Sequence, residues 1–416
     1  MQKRLLIVSN EPVSQSTANG RTMRNFLLNI PRDHLSQFYL HGTPDREICG
    51  SFYCVSDRTA LNAFLGKQQK RDTSSATAEN PPAAASQFRL ARNCRNLVLR
   101  DLIWQSMRWW TKEFSTFLDD VSPEIVLLQA GDAPFMYRIA RKIARKYHAK
   151  LVMFNTEHYV LKNVMYSYAG TNLFWHNILM CSLKYQYARF MDYADYCIYN
   201  TQALEAAYQK TYPHPGKSSV LYTTSTMRPL PDESGKNFSL LYCGNLGVGR
   251  CIPIRQLADI LYEIDPKAGL DIYGKFLGEE DEKAVCGSPN VRYHGFVDYE
   301  ELIPRMREAT MLLHCENQNE IEELKFAFST KIADSLASGK PFLVYASEEY
   351  PFVQYLKQNQ CAHIANNPAM LREVLKKCME SEVYRNQFHD NACRTAARNH
   401  NQDVNCRKIE EIFHSV

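Results

Sequence analysis

The chain has 416 residues, which is long for one hydrophobic core and suits two domains of ~150–200 residues. Its formal net charge of +4 at pH 7 is too small to indicate nucleic-acid binding. The 13 cysteines include no CxxC pair, which argues against both a zinc knuckle and a disulfide framework. The first apolar run is too short for a signal peptide and no run reaches ~18 apolar residues. We therefore expect a protein of the reducing cytoplasm without a membrane span.

The N-terminal half predicts strands that alternate with helices. Residues 5–10 are an apolar run typical of a buried parallel strand, and similar runs occur at 37–40, 51–55, 124–129, 151–155 and 195–200. Helices are predicted over residues 21–28, 90–118, 134–147 and 174–193. The polar residues 67–86 predict a loop, which either covers an acceptor site or is an inert insertion.

Two residues of this half are candidate ligand contacts. His158 follows the strand at 151–155, at the carboxyl end where open α/β sheets place ligand-facing residues. Gly20 lies between the first strand and the first helix, in what is either a ligand cradle or a plain βα turn. That turn lacks the G-x-G-x-x-G pattern, so a dinucleotide site is not supported.

The helix predicted over residues 134–147 is basic and amphipathic. Ile139 and Ile143 share its apolar face, and its other faces carry Arg138, Arg141, Lys142, Arg145 and Lys146. Either it is a solvated cover for the sheet or residues 138–146 dock on an anionic membrane. In the second case, Phe174 and Trp175 of the next helix would add an anchor at the lipid headgroups.

The second half opens with a glycine-rich stretch. A strand over residues 238–243 leads into it, and its sequence from Tyr242 to Arg250 is YCGNLGVGR. Its three glycines, Gly244, Gly247 and Gly249, would let the backbone approach a diphosphate closely. Arg250 would add a fork of hydrogen-bond donors for phosphate oxygens.

A short helix is predicted to start at residue 330. Ser329 is suited to cap it, and Gly339 is suited to end it. Lys331 and Asp334 fall in its opening turn, and a lysine beside a helix N-terminus suits a phosphate. The alternative is an ordinary α/β helix whose charged residues are solvated.

The run TKIADSLASGKP at residues 330–341 resembles the C-terminal signature of family 4-type GT-B glycosyltransferases, and the glycine-rich stretch is similar to their donor loop. The resemblance covers residues 238–345. It implies an α/β GT-B fold, in which two Rossmann-like domains face each other across a cleft. The expected division is an acceptor-side domain over 1–214, a nucleotide-sugar domain over 215–395, and a terminal segment over 396–416 whose helix returns to the first domain.

The resemblance also implies an activity. It implies transfer of a sugar, as in hexosyltransferases, from a nucleotide-sugar to an acceptor, with retention and without a metal or cofactor. Arg250 and Lys331 would hold the diphosphate, Asp334 would bind the ribose, and His158 would face the sugar. The remaining implied donor contacts are Gly20, Gly244, Asn245, Gly247 and Gly249. The implied acceptor is a glycan or a lipid-linked intermediate of surface-polysaccharide or glycoconjugate synthesis, reached in the cytoplasm or at the inner face of the membrane.

The sequence departs from the family pattern at several positions. The family has two glutamates eight positions apart; Asp334 stands at the second position and Phe326 at the first. Asn245 and Cys251 stand where the family usually has Arg and Lys. A glutamate of the preceding loop would have to replace the missing one, with candidates Glu316, Glu320, Glu322 and Glu323. Two alternatives therefore stay open, a sugar-nucleotide epimerase of the same fold and a catalytically silent scaffold subunit.

Overall fold

The computed structural model describes residues 3–15, 17–67, 93–162, 172–214, 216–319 and 321–416. The chain divides into two compact units, which we call the N-terminal domain (residues 1–222 and 405–416) and the C-terminal domain (residues 223–404). We predicted the first boundary after residue 214. It lies after residue 222, because the strand Lys217–Val220 still pairs with the N-terminal sheet. The loop predicted over residues 67–86 lies outside the described residues, apart from Lys67.

The N-terminal domain is built on a parallel sheet of seven strands in the order β3-β2-β1-β4-β5-β6-β7. The strands are β1 (Leu5–Val8), β2 (Leu35–Tyr39), β3 (Ser51–Cys54), β4 (Ile125–Gln129), β5 (Lys150–Asn155), β6 (Tyr196–Tyr199) and β7 (Lys217–Val220). Leu5 of β1 pairs with Leu35 on one side and with Ile125 on the other. Central strands such as β1 are buried on both faces, which is why they read as continuous apolar runs.

Helices connect these strands. They are α1 (Ala18–Leu27), α2 (Asp57–Phe64), α3 (Cys94–Gln105), α4 (Lys112–Val121), α5 (Pro134–Tyr147), α6 (Leu173–Met191) and α7 (Gln202–Thr211), with a 3-10 turn at Arg32–His34. The single helix predicted over residues 90–118 is wrong, since α3 and α4 are separate. Met107 adopts a positive φ of 58°, which interrupts the helix, and the Thr111 side chain caps α4 by accepting from the Phe114 N–H.

The C-terminal domain is built on a second parallel sheet, of six strands in the order β10-β9-β8-β11-β12-β13. The strands are β8 (Ser239–Asn245), β9 (Gly269–Lys275), β10 (Val291–Tyr293), β11 (Met311–Cys315), β12 (Phe342–Tyr345) and β13 (His363–Ala365). Its helices are α8 (Cys251–Ile264), α9 (Glu279–Cys286), α10 (Tyr299–Glu308), α11 (Ile321–Leu324), α12 (Thr330–Ser338), α13 (Pro351–Gln358), α14 (Pro368–Glu380), α15 (Glu382–Asn386) and α16 (His389–Thr395), followed by a π-helical segment at Ala396–His400. Two Rossmann-like domains of parallel strands confirm the predicted α/β class.

The strand order of the C-terminal sheet reverses between β8 and β11. From β8 the chain runs outward to β9 and β10, and it then returns to β11 on the other side of β8. The loops that follow β8 and β11 therefore leave the same edge of the sheet side by side. Open α/β sheets bind ligands at such a switch point.

The last helix, α17 (Gln402–Ser415), completes the N-terminal domain. Its buried residues Ile409, Ile412 and Phe413 pack in the same core cluster as Leu5 and Ile125. We expected the returning segment to start at residue 396, but residues 396–404 belong to the C-terminal domain. Of the helices described, none combines the length and the apolar character that a membrane crossing needs.

Candidate functional site

The glycine-rich loop, residues 244–250, starts with the last two residues of β8 and leads into the first turn of α8 at the switch point. Gly244 has a φ of +138°, and a Cβ built on it would lie 1.7 Å from Nζ of Lys331. A Cβ on Gly274 of the neighbouring strand β9 would lie 1.8 Å from the Gly244 carbonyl oxygen. The two glycines therefore let β8, β9 and the Lys331 side chain approach closely.

The loop is held in its shape by its own hydrogen bonds. The Asn245 side-chain oxygen accepts from the Gly247 N–H at 2.7 Å, and the Tyr242 hydroxyl donates to the Asn245 carbonyl oxygen at 3.0 Å. Val248 has a φ of 57°, which is a strained backbone for a β-branched residue. Such strain is kept only where the surrounding structure imposes it, and it is often found at functional sites.

Arg250 at the end of this loop forms a buried ion pair with Glu316, which follows β11. Its Nε and Nη2 both donate to the carboxylate at 2.8 Å, and the two side chains are only 14% and 6% exposed. Burial raises the pKa of Glu316, but His314 and Arg250 outweigh it and bring the pKa down to about 2. The pair thus ties the loop after β8 to the loop after β11. Since two of its donors face Glu316, the role of Arg250 as a phosphate ligand stays a prediction.

His314 is a buried neighbour of this pair that the sequence reasoning missed. Its Nε2 lies 3.2 Å from a Glu316 carboxylate oxygen, and burial lowers its pKa. The neutral imidazole therefore contributes polarity without a second positive charge. His314 could have been predicted as a site residue from the sequence, because His314, Glu316 and Asn317 stand at the carboxyl end of an apolar strand.

Lys331 lies in the first turn of α12. The Ser329 side chain caps this helix as predicted, by accepting from the Lys331 N–H at 3.3 Å. The Lys331 ammonium lies 5.3 Å from the centre of the Tyr242 ring. Burial, and after it Arg250, lowers the pKa of Lys331 to about 8, so the side chain is mostly charged at pH 7. A buried ammonium near a helix N-terminus is suited to bind an anion.

Asp334, one turn further along α12, contacts two hydroxyl groups of its own domain. One carboxylate oxygen accepts from the Ser225 hydroxyl at 2.6 Å and from the Tyr299 hydroxyl at 3.1 Å. The sequence reasoning missed Ser225 and Tyr299, because neither lies near α12 in the chain. A ribose contact for Asp334 remains a prediction.

The loop glutamates differ in their surroundings. Glu316 is the buried partner of Arg250, whereas Glu322 is exposed and pairs with Lys325 at 2.6 Å. Glu323 lies in the short helix α11, and Glu320 lies outside the described residues. Glu316 is thus the described candidate that contacts the glycine-rich loop.

The two candidates from the first half both lie in the N-terminal domain. Gly20 is in the first turn of α1 rather than in the preceding loop, and its N–H donates to the Thr17 side chain at 3.1 Å. His158 follows β5 as predicted, and its side chain is buried. Their roles at a donor remain predictions.

A cavity of about 510 Å³ opens in the N-terminal domain where β1 and β4 end. Asn10 and Glu11 line it after β1, and Gln129 and Asp132 line it at the end of β4. Asp57 and Arg100 lie at its wall, joined by an ion pair of 2.8 Å. The lining combines groups that accept hydrogen bonds with apolar side chains, including Leu61, Leu97 and Trp104.

Comparison with known proteins shows what the sequence and the fold are similar to. Residues 254–411 match the family model described as "Glycosyl transferase-like". A search of curated protein sequences gives no match. Among solved structures, the chain is similar to the Anabaena HepE protein in complex with UDP, with a TM-score of 0.65 and 11% identity over 99% of this chain and 100% of the other.

Two further structures show the same similarity. Sucrose-phosphate synthase from Thermosynechococcus elongatus has a TM-score of 0.63 and 12% identity, over 100% of this chain and 99% of the other. WaaG, a glycosyltransferase involved in lipopolysaccharide biosynthesis, has a TM-score of 0.56 and 14% identity, over 99% of this chain and 100% of the other. The chain therefore shares the GT-B fold of these structures, and its residues 254–411 match the glycosyl transferase-like family model.

Proposed function

We propose that this chain is a glycosyltransferase whose C-terminal domain binds the diphosphate of a nucleotide-sugar donor. The proposal rests on the position of the Lys331 ammonium, which lies against Gly244 at the switch point of the sheet. The glycine-rich loop leads into the N-terminal turn of α8, and Lys331 lies in the first turn of α12, so each of the two helices adds a positive N-terminal end. The UDP complex of the similar HepE structure supports this donor class.

According to this proposal, the protein stabilises the leaving diphosphate electrostatically. Lys331 supplies a positive charge where negative charge develops, and its partial burial strengthens that interaction. Glu316 fixes the orientation of Arg250, whose remaining N–H groups would face the phosphates. A hexosyl donor, retention at the sugar, and independence of metals belong to the same proposal, on the strength of the resemblance.

The acceptor would bind in the cavity of the N-terminal domain. Its side-chain oxygens on Glu11, Gln129 and Asp132 suit the hydroxyl groups of a glycan. Similarity to WaaG supports an acceptor from surface-polysaccharide or glycoconjugate synthesis, in the cytoplasm. Asp132→Asn and Glu11→Gln should weaken binding of such a glycan while leaving nucleotide binding unchanged.

Calorimetric titration with a panel of nucleotide-sugars and nucleoside diphosphates tests the donor site. Lys331→Ala should weaken binding by about 1.5–3 kcal/mol, the scale of a charge-assisted hydrogen bond. Lys325→Ala is the matched control, because this nearby lysine pairs with Glu322 and should leave affinity unchanged. Failure of every nucleotide to bind the wild type, or equal affinity in Lys331→Ala, would overturn the proposed site.

The reaction products separate the enzyme from its alternatives. A glycosyltransferase links the sugar to an acceptor, whereas an epimerase releases nucleoside diphosphate without a glycosylated product. A scaffold subunit, which Phe326 in place of the first family glutamate would favour, binds no donor. Activity that persists in EDTA would support independence of metals, and loss of activity would contradict it.

A further inference from the structure

A polar cavity lies on one face of the C-terminal sheet, over β8, β9 and β10. The opposite face packs against α8 and α14 through residues such as Leu240 and Leu270. Because successive side chains of a strand point to opposite faces, Asp271 and Tyr273 face away from that core and line the cavity. Its volume is about 510 Å³, which suits a small ligand. We call this cavity the edge pocket, and its polar lining includes Lys236, Lys267, Asp271, Arg292, His294 and Arg305.

The edge pocket reaches the end of the sheet that lies away from the glycine-rich loop. Ser239 and Gly269 are the first residues of β8 and β9, and both line the pocket. The glycine-rich loop leaves β8 at the carboxyl end of that strand. Among the described residues that line the pocket, none belongs to this loop or to α12. The edge pocket is therefore separate from the proposed donor site.

The lining of the edge pocket has more positive than negative charge. Its described residues include four basic and two acidic side chains: Lys236, Lys267, Arg292, Arg305, Asp271 and Glu308. Both carboxylates are already paired with arginines. Arg292 lies 2.5 Å from Asp271, and Arg305 lies 2.9 Å from Glu308. The positive charges of Lys236 and Lys267 therefore remain unbalanced within the pocket.

The two lysines are at the same end of the pocket. The Gly269 N–H donates to the Phe238 carbonyl oxygen at 2.9 Å, which joins the segments that precede β8 and β9. Lys236 and Lys267 each lie two positions before one of these residues, and both are exposed. Within the ranges that the structure describes, neither ammonium has an ion-pair partner. Two ammonium groups from neighbouring segments are suited to bind one phosphate group.

Arg292 adds hydrogen-bond donors in the middle of the pocket. Its Nε and Nη2 donate to the Asp271 carboxylate at 2.7 and 2.5 Å, and a Cβ built on Gly269 would lie 2.5 Å from Nη2. Burial raises the pKa of Asp271, but Arg292 and His294 outweigh it and lower the pKa. The ionised carboxylate thus holds the guanidinium in place over Gly269. Nη1 takes no part in this pair, so its N–H groups can donate to a ligand.

An aromatic pair lies at the other end of the pocket. The rings of Tyr273 and His294 stack, with their centroids 4.5 Å apart and their planes 9° apart. The His294 Nε2 lies 2.8 Å from Asp271, which fixes the orientation of the ring, and the side chain is 36% exposed. From Gly269 to Tyr273 the strand covers about 13 Å, at ~3.3 Å per residue. The pocket is therefore long enough for a phosphate at one end and a sugar ring at the other.

We propose that the edge pocket binds a phosphorylated sugar. Lys236 and Lys267 bind the phosphate, and the sugar ring packs against His294. Sugar hydroxyls both donate and accept hydrogen bonds, and the pair of Arg305 and Glu308 offers partners of both kinds. The inference goes beyond the proposed function and does not depend on it, because the edge pocket shares no described residue with the proposed donor site.

Calorimetric titration of the full chain tests the edge pocket. The probes are glucose 1-phosphate, glucose 6-phosphate, inorganic phosphate and glucose. At least one sugar phosphate should bind at least about tenfold more tightly than inorganic phosphate or glucose, because only the sugar phosphates use both ends of the pocket. This affinity should fall as salt rises from about 50 to about 500 mM. No binding of either sugar phosphate, or equal affinity for inorganic phosphate, would overturn the proposal.

Two variants separate the phosphate end from the sugar end. Lys236→Ala with Lys267→Ala should weaken binding of the sugar phosphate at least about tenfold. His294→Ala should weaken it about three- to tenfold and leave the affinity for inorganic phosphate unchanged. Lys376→Ala is the matched control, because this exposed lysine lies on α14, which packs on the opposite face of the sheet. Since both pocket lysines are exposed, the thermal midpoint of the double variant should stay unchanged.

The same titrations distinguish the edge pocket from the proposed donor site. Lys331→Ala should leave the affinity for the sugar phosphate unchanged, and Lys236→Ala with Lys267→Ala should leave the affinity for nucleoside diphosphates unchanged. Sugar-phosphate binding that is lost in Lys331→Ala, or that survives the double change, would overturn the edge pocket. Failure of nucleotides to bind a chain that binds sugar phosphates would overturn the proposed function alone.

Discussion

Lys331 shows at the scale of one residue how placement changes chemistry. A lysine on a solvated helix keeps a high pKa. Burial, and after it the charge of Arg250, lowers the pKa of Lys331 to about 8. Lys340, nine positions later, is also buried but donates to Asp232 at 2.5 Å and so has a structural partner. The two lysines differ because the fold neutralises the charge of Lys340 with Asp232, whereas we propose that the charge of Lys331 binds a ligand.

The pKa of Lys331 predicts a pH dependence of donor binding. A bound diphosphate favours the ammonium, so affinity should be highest below pH 8 and should fall as the pH rises through this value. Between pH ~7 and ~9 the dissociation constant of a nucleotide-sugar should rise by up to about tenfold. Calorimetry of Lys331→Arg, which stays charged, should show no such dependence, and a flat profile in the wild type would contradict the prediction.

The Glu316 carboxylate makes a second prediction possible. Its pKa in the folded protein is below the ordinary value of 4.5, so its stabilising contribution is complete above pH 4.5 and is lost as the pH falls toward 2. Glu316→Gln leaves Arg250 buried without its counter-charge and should lower the free energy of unfolding by about 3–5 kcal/mol. Urea titration measures this change, with the exposed Glu322→Gln as the control that should stay within about 0.5 kcal/mol.

At the scale of elements, the site depends on a loop and a helix that meet at one glycine. The end of β8, where the glycine-rich loop starts, brings Gly244 against the Lys331 side chain, and the capped first turn of α12 holds Lys331 in place. Gly339 ends α12 with a φ of 69°, as expected of a helix C-cap. The helix is therefore fixed at both ends, and the charge at its beginning has a defined position.

Replacement of Gly244 by alanine tests this arrangement. The new methyl group would overlap Nζ of Lys331, and the positive φ disfavours any residue with a Cβ. Gly244→Ala should thus displace the ammonium and weaken nucleotide binding at least about tenfold. Gly278→Ala is the matched control, since a Cβ there meets nothing within 4 Å. Unchanged affinity of Gly244→Ala by calorimetry would refute the close contact.

At the scale of the whole molecule, the chain passes from the N-terminal to the C-terminal domain and back. The return after residue 404 brings the apolar side of α17 into the N-terminal core. The last residues of the chain are thus as important for that core as its first strand. The glycine-rich loop and α12, by contrast, belong wholly to the C-terminal domain.

Truncation of a side chain in α17 should therefore affect one domain selectively. Ile409 is 1% exposed, and Ile409→Ala should lower the free energy of unfolding of the N-terminal domain by about 2–5 kcal/mol. Donor binding at 25 °C should be retained, because the proposed donor site is in the C-terminal domain. Urea titration measures the free energy of unfolding, and calorimetry measures the affinity for the nucleotide. The exposed Val383→Ala serves as the control.

The sequence by itself determined most of the elements and the positions of the glycine-rich loop and of α12. Apolar runs predicted the strands, and the Ser329 cap and Gly339 stop defined α12, because these signals depend on neighbouring residues alone. The single helix over 90–118 failed for the opposite reason, since the left-handed turn at Met107 has no glycine or proline to mark it.

Only the tertiary structure decided which distant residues share a contact. Glu316 reaches Arg250 across 66 positions, because β8 and β11 are neighbours in the sheet but not in the chain. Ser225 reaches Asp334 across 109 positions, from a segment before β8 to helix α12. Packing likewise decided which side chains of α6 are covered, because α6 lies against α3 and α5 and leaves Phe174 and Tyr185 exposed. Strand order and helix orientation are set by packing over the whole domain, and a local sequence pattern does not contain them.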